Sequence, residues 1–299
     1  MNFSDLYQQS IQDKPAFWGE QAKRIYWHKQ PEQILDDSQL PFAKWFVGGQ
    51  TNLCHNMVDR HLEDRAEQDA FVWVSTEINQ EMLDNYPNIG KAFKALGNPV
   101  ELYTDYAKRR LTYNDLYKEV NYFADVLQRQ GVGKGDRVLI YMPMVPEAIF
   151  AMLATVRLGA IHSVVFGGFA SHSLATRIDD AQPKVVISTD AGMRGGKVVP
   201  YKPLLDKALE LAEHKPDRVL LVNRGLDPEM DIVQMRDVDY ATLRARHLDA
   251  DVPVTWVESS EPSYILYTSG TTGKPKGVQR DTGGYAVALA SSMKHIYCG

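Results

Sequence analysis

The sequence predicts an α/β fold, a mainly parallel sheet with helices on both faces, on two observations. Apolar runs of strand length, RVLIYM from Arg137, IHSVVF from Ile161, KVVIST from Lys184 and RVLLV from Arg218, show no polar alternation, as strands buried on both faces do. Segments of helical period separate them, and strands alternating with helices pair in parallel.

Residues 1–56 are rich in Trp, Phe and Gln without a clean period. They are expected to form short helices and loops wrapped on another domain, an irregular extension ahead of a larger domain over 57–299. AFVWVS, Ala70–Ser75, has strand composition, and VELYTDYAKRR from Val100 is placed to return beside it as a hairpin. In LTYNDLYKEVNYFADVLQRQGV, Thr112 can cap a helix with Asp115 three residues on. Leu116, Val120, Phe123, Ala124 and Leu127 make its apolar face, and Gly131 ends it. A second helix runs from about Val145 to Leu158 with Gly159 as its stop, and SHSLATRIDDA and KPLLDKALELAE supply two more. GVGKGD at Gly131 imitates a dinucleotide fingerprint, but Asp136 stands where a glycine is required and the order is helix then strand, the reverse of that motif. It reads as a helix-to-strand turn.

With 299 residues, 44% of them apolar, the chain can bury a large core. Its formal charge of −5 gives no basic field for nucleic acid or an anionic membrane, so an anionic ligand needs a local site. Cys54 and Cys298 are its two cysteines, a usage that suits a reducing, cytoplasmic compartment and two buried thiols. The opening MNFSDLYQQS is acidic and polar where a signal peptide is basic and then apolar. VPEAIFAMLATVRLGA carries Glu147 and Arg157 and is shorter than the ~18 residues of a spanning helix; a core helix is expected there, and no membrane partner. His55 and His162 stand alone at no metal-ligand spacing, so no metal site is expected.

The densest chemistry lies in YTSGTTGKPKGVQRDTGGY, Tyr267–Tyr285. SYILY before it reads as a strand and YAVALASSMKHIY at its end as a helix, which makes the motif a strand-to-helix loop, where open sheets place ligands. It is not a Walker A loop: Gly270 and Gly273 enclose only Thr271 and Thr272, where that loop needs four residues. Gly270, Gly273 and Gly277 allow backbone N–H groups to converge on an anion. Thr268, Ser269, Thr271 and Thr272 add hydroxyl donors, and Lys274 and Lys276 add charge. These residues point to a phosphate cradle. Arg194, Gly195, Gly196 and Lys197 form a smaller basic turn that alone reads as a solvated loop, although Phe166, on a neighbouring strand end, offers a face on which adenine can stack.

YTSGTTGKPKGV resembles the signature loop of the adenylate-forming enzymes. NLCHNMVDRHLE, IHSVVFGGFASHS and RGGKVVPYKPLLDKAL extend the resemblance over nearly the whole chain, to the acetyl-CoA synthetase-type short-chain ligases. Within that group GVQRDTGGYAVALASSM is most similar to propionate-activating members; acetate-activating ones usually carry a histidine-threonine pair in place of Arg280-Asp281. The resemblance implies the N-terminal part of an adenylate-forming large domain and small-molecule partners: ATP, Mg²⁺, coenzyme A and a short-chain acid. It implies that Thr268, Ser269, Gly270, Thr271, Thr272, Gly273, Lys274 and Lys276 hold the β- and γ-phosphates of ATP. Phe166, Arg194, Gly195, Gly196 and Lys197 match positions that bind the nucleotide end of coenzyme A. Lys197 departs from the arginine common in the acetate enzymes, exchanging a bidentate fork for a point charge. Family members are much longer, so a missing C-terminal domain of the same chain, with the adenylation lysine, is expected, along with inactivity of residues 1–299 alone and no catalytic residue within them. The stretch from about Thr76 to Arg110 is longer than the family pattern and reads as a surface insertion. Two other readings stay open: a non-catalytic nucleotide- or coenzyme-A-binding module, and an adenylating enzyme that loads a carrier protein, against which the RGGK stretch argues.

Overall fold

A computed structural model describes residues 3–74, 108–194, 197–268 and 275–297. The N-terminal segment is held by aromatic packing and side-chain caps. Helices α1 (Phe3–Gln12) and α2 (Lys14–Ala22) meet at Asp13, whose carboxylate accepts the Ala16 N–H at 3.0 Å. Strands β1 (Gln33–Asp36) and β2 (Lys44–Val47) form an antiparallel pair, followed by β3 (Gln50–Thr51) and α3 (Leu53–Met57), which Asn52 caps. Ala22, Trp27 and Phe46 are buried in one cluster with Val287 from the helix Thr282–His295, so this segment packs on the rest of the described chain, with strands as well as the short helices and loops expected there. Leu53 and Cys54 already belong to the main core.

After α4 (Leu62–Arg65), β4 (Asp69–Val74) pairs antiparallel with β5 (Lys108–Thr112). The expected antiparallel return is seen through Lys108–Arg110, and the rest of the run from Val100 lies outside the described residues. The stretch read as an insertion lies outside the described residues up to 107, and its last three residues, Lys108, Arg109 and Arg110, are in β5. Helix α5 (Tyr113–Arg129) starts at the reciprocal Thr112–Asp115 capping box, buries Leu116, Val120, Phe123, Ala124 and Leu127, and ends before Gly131, which adopts φ +84°. GVGKGD is the turn from α5 into β6 (Arg137–Met142): Asp136 accepts the Gly133 N–H at 2.9 Å and pairs with Lys184 at 3.2 Å.

The alternation then runs α6 (Pro146–Arg157), β7 (Ile161–Phe166), α7 (Ser171–Ala181) and β8 (Val185–Thr189). The short pair β9 (Ala191–Arg194) and β10 (Lys197–Pro200), α8 (Lys202–Leu211), β11 (Arg218–Val222), β12 (Asp237–Asp239) and α9 (Tyr240–Arg244) follow. The described chain closes with β13 (Val257–Glu258), β14 (Pro262–Thr268), β15 (Lys276–Asp281) and α10 (Thr282–His295). Seven strands make the main sheet in the order β12-β11-β8-β6-β7-β14-β15. All neighbours are parallel except β14 and β15.

Val138, Ile140 and Met142 of β6 pack with α5 and α6, while Leu139 and Tyr141 pack on the other face with α7 and α8. The expectation of helices on both faces therefore holds at the sheet centre. At β7 buried and exposed residues alternate within the described chain, and Val164, Phe166 and, on β14, Leu266 are exposed there. Among the described residues no helix is long and apolar enough to cross a membrane.

Candidate functional site

Because β7 and β14 run parallel, their last residues, Phe166 and Thr268, lie at the same edge of the sheet, the carboxyl edge at which open α/β sheets bind ligands. The glycine-rich motif was expected as a strand-to-helix loop. The structure corrects this: β15 intervenes, and Tyr264–Thr268 pair antiparallel with Lys276–Arg280, placing Thr268 opposite Lys276. The ladder supplies hydrogen bonds to a segment whose composition alone gives no strand signal. A β-carbon on Gly277 would stand 3.1 Å from Ile265 Cγ2 and 3.2 Å from Tyr267 Cε1, so this glycine admits close packing of the strand. Asp281 caps α10 by accepting the Gly284 N–H at 3.0 Å. Thr268 and Lys276, which flank the glycine-rich loop, face each other; Ser269, Gly270, Thr271, Thr272, Gly273 and Lys274, the rest of the expected phosphate-binding set, lie outside the described residues.

The second group gathers near the same edge. Arg194 pairs with Lys197 across β9 and β10, while Gly195 and Gly196 lie outside the described residues. Phe166 is 67% exposed. A β-carbon on Gly168 would lie 2.5 Å from Phe166 Cε1 and 3.2 Å from Arg194 Nη1, so the structure brings the aromatic face and the guanidinium together around that glycine.

Residue-type reasoning did not find what holds this group. Tyr201 contacts both halves: a β-carbon on Gly167 would collide with its hydroxyl, and one on Gly192 would stand 3.1 Å from its ring. Its ring stacks on Tyr141 at 5.0 Å, and the Tyr141 hydroxyl donates to the Phe169 carbonyl at 3.3 Å. Burial pushes the Tyr141 phenol up to about 12, so it remains a donor. Asp190, fully buried after β8, accepts N–H groups from Arg224 at 3.0 Å, Leu226 at 2.6 Å and Asp227 at 3.1 Å. Its carbonyl accepts the Tyr201 N–H at 2.9 Å. The one signal in the sequence was a carboxylate directly after a buried strand, a position that demands partners.

The lone histidines are packed. His162 stacks on Tyr264 at 5.4 Å, and burial lowers its pKa to about 4; His55 packs against Tyr26 and Trp256. Among the described residues no three His, Cys, Asp or Glu side chains converge as a metal site. Cys54 is buried, and Cys298 lies outside the described residues.

A family model described as AMP-binding enzyme matches residues 94–298, and one for the N-terminus of acetyl-coenzyme A synthetase matches residues 3–57. The chain belongs to the AMP-binding enzyme family. It is 54% identical over 299 residues to propionate–CoA ligase of Salmonella typhimurium, a match that covers all of this chain and 43% of that protein. Acyl-CoA synthetase short-chain family member 3, mitochondrial, of Rattus norvegicus is 43% identical over 290 residues, covering 96% of this chain and 38% of that protein. Acetyl-coenzyme A synthetase of Xanthobacter autotrophicus is 42% identical over 299 residues, covering 99% of this chain and 42% of that protein. The chain thus spans less than half the length of these relatives.

Proposed function

We propose that the protein of which these residues are part activates a short-chain carboxylic acid, propionate foremost, with ATP and transfers the acyl group to coenzyme A. A carboxylate resists a thiol because its charge repels the nucleophile and its oxygen is a poor leaving group. Attack by the carboxylate oxygen on the α-phosphorus of ATP forms a P–O bond and expels pyrophosphate. The thiolate of coenzyme A then attacks the acyl carbon, and AMP leaves. Catalysis of the first step rests on neutralising charge around the transferring group, and Mg²⁺ supplies part of that when bound.

The observation that carries this reading is the pairing of Thr268 with Lys276 at the carboxyl edge of the sheet, beside Phe166 and Arg194, in a chain 54% identical to a propionate–CoA ligase. Thr268, Ser269, Gly270, Thr271, Thr272, Gly273, Lys274 and Lys276 are assigned to the β- and γ-phosphates. Phe166, Arg194, Gly195, Gly196 and Lys197 are assigned to the nucleotide end of coenzyme A, with Phe166 stacking the base and the cations meeting phosphates. Residues 1–56 are an N-terminal extension to the adenylation domain, and the setting is cytoplasmic. Acyl-hydroxamate formation by the full-length gene product with acetate, propionate and butyrate tests the acid. Propionate is expected to give the highest kcat/KM, with acetate within about 10- to 200-fold, since one methylene is worth ~1–3 kcal/mol. A preference for acetate would support the acetate–CoA ligase reading, and no product with any acid would exclude acid activation.

A further inference from the structure

Arg177, on the middle of α7, is 7% exposed. Its guanidinium carbon stands 4.2 Å from the ring centroid of Phe169 and 5.3 Å from that of Tyr267, and its Nη1 donates to the Ser173 carbonyl at 2.6 Å. Among the described residues it makes no ion pair. Asp180, one turn further along α7, accepts the Tyr267 hydroxyl at 2.6 Å instead. Burying a guanidinium away from carboxylates is costly, and an apolar side chain would fill the space at lower cost; two aromatic faces partly offset the desolvation.

Those faces belong to the two halves of the candidate site. Phe169 directly follows the segment Phe166–Gly168 that meets Arg194, and its ring packs edge-on to Phe166 at 6.0 Å. Tyr267 immediately precedes Thr268 and lies opposite Gly277. We propose that Arg177 is a positioning residue that ties the base of the ATP-phosphate hairpin to the segment that receives coenzyme A. The inference rests on the functional reading above. It assigns Arg177 no contact with either substrate: its planar cation sets the spacing of two aromatic side chains, and each carries one binding segment.

The test uses the full-length gene product in two assays, acid-dependent pyrophosphate–ATP exchange for the ATP side and thioester formation for the coenzyme A side. Arg177→Met keeps bulk and removes the charge; Tyr267→Phe keeps the ring and releases Asp180 to pair with Arg177. Each is expected to raise KM for ATP and KM for coenzyme A together, by about threefold to tenfold, with a smaller change in kcat. Arg177→Lys is expected to recover part of the loss. KM values that stay at wild type while the thermal midpoint falls would reduce Arg177 to packing, and a rise confined to one substrate would remove the tie; either result overturns the proposal. If Arg177→Met fails to fold, Tyr267→Phe decides. A wild type without acid-dependent exchange overturns the functional reading itself, and the inference with it.

Discussion

Arg157→Met is expected to lower the stability of the folded chain by about 3–5 kcal/mol, the cost of breaking a buried ion pair from one side. Arg157 is 2% exposed at the end of α6. Its Nη1 lies 2.9 Å from both Asp59 carboxylate oxygens, and its Nε donates to the Val252 carbonyl at 2.5 Å. The guanidinium also covers the Tyr117 ring at 5.3 Å and donates to Cys54 Sγ at 3.5 Å. One side chain therefore joins the N-terminal segment, α6 and the loop before β13. Methionine fills much of the volume but leaves a carboxylate and a carbonyl unsatisfied. Cys54 offers no substitute, because burial pushes its thiol up to about 12 and keeps it neutral. Urea unfolding measures the loss; the double variant Arg157→Met/Asp59→Leu is expected to regain part of it. A loss under ~1 kcal/mol for the single variant would mean that the pair is solvated after all.

Lys276→Gln is expected to raise KM for ATP in pyrophosphate exchange by roughly tenfold to a hundredfold. A charge-assisted hydrogen bond is worth about 1.5–3 kcal/mol, with 1.4 kcal/mol per factor of ten. Lys276 is exposed at the end of β15 and makes no ion pair among the described residues, so its replacement is expected to leave the thermal midpoint within a degree or two of wild type, as surface changes do. The exchange assay contains no coenzyme A, so the ATP side is read alone. An unchanged KM would move the charge contact to Lys274 or take the cradle away from phosphate.

Most of the fold was legible because local signals agreed with the tertiary outcome. The Thr112–Asp115 box, the stops at Gly131 and Gly159 and the unbroken apolar runs each marked an element that formed. What escaped depends on partners distant in sequence. Lys276–Asp281 forms a strand by pairing with the edge of β14, a partner that its own composition does not announce. The site divides the same way. Glycines, hydroxyls and lysines suggested an anion loop, a reading that rests on residue types and on the family resemblance. Tyr201, Asp190 and Arg177 act on segments between about 10 and 90 positions away, and no spacing rule links such pairs.

Nucleotide products formed by the full-length gene product with ATP, Mg²⁺, propionate and coenzyme A test the central claim most directly. The expected result is AMP and pyrophosphate in step with propionyl thioester, and acid-dependent incorporation of labelled pyrophosphate into ATP when coenzyme A is withheld. Release of ADP and phosphate, or turnover of ATP indifferent to the acid, would contradict it.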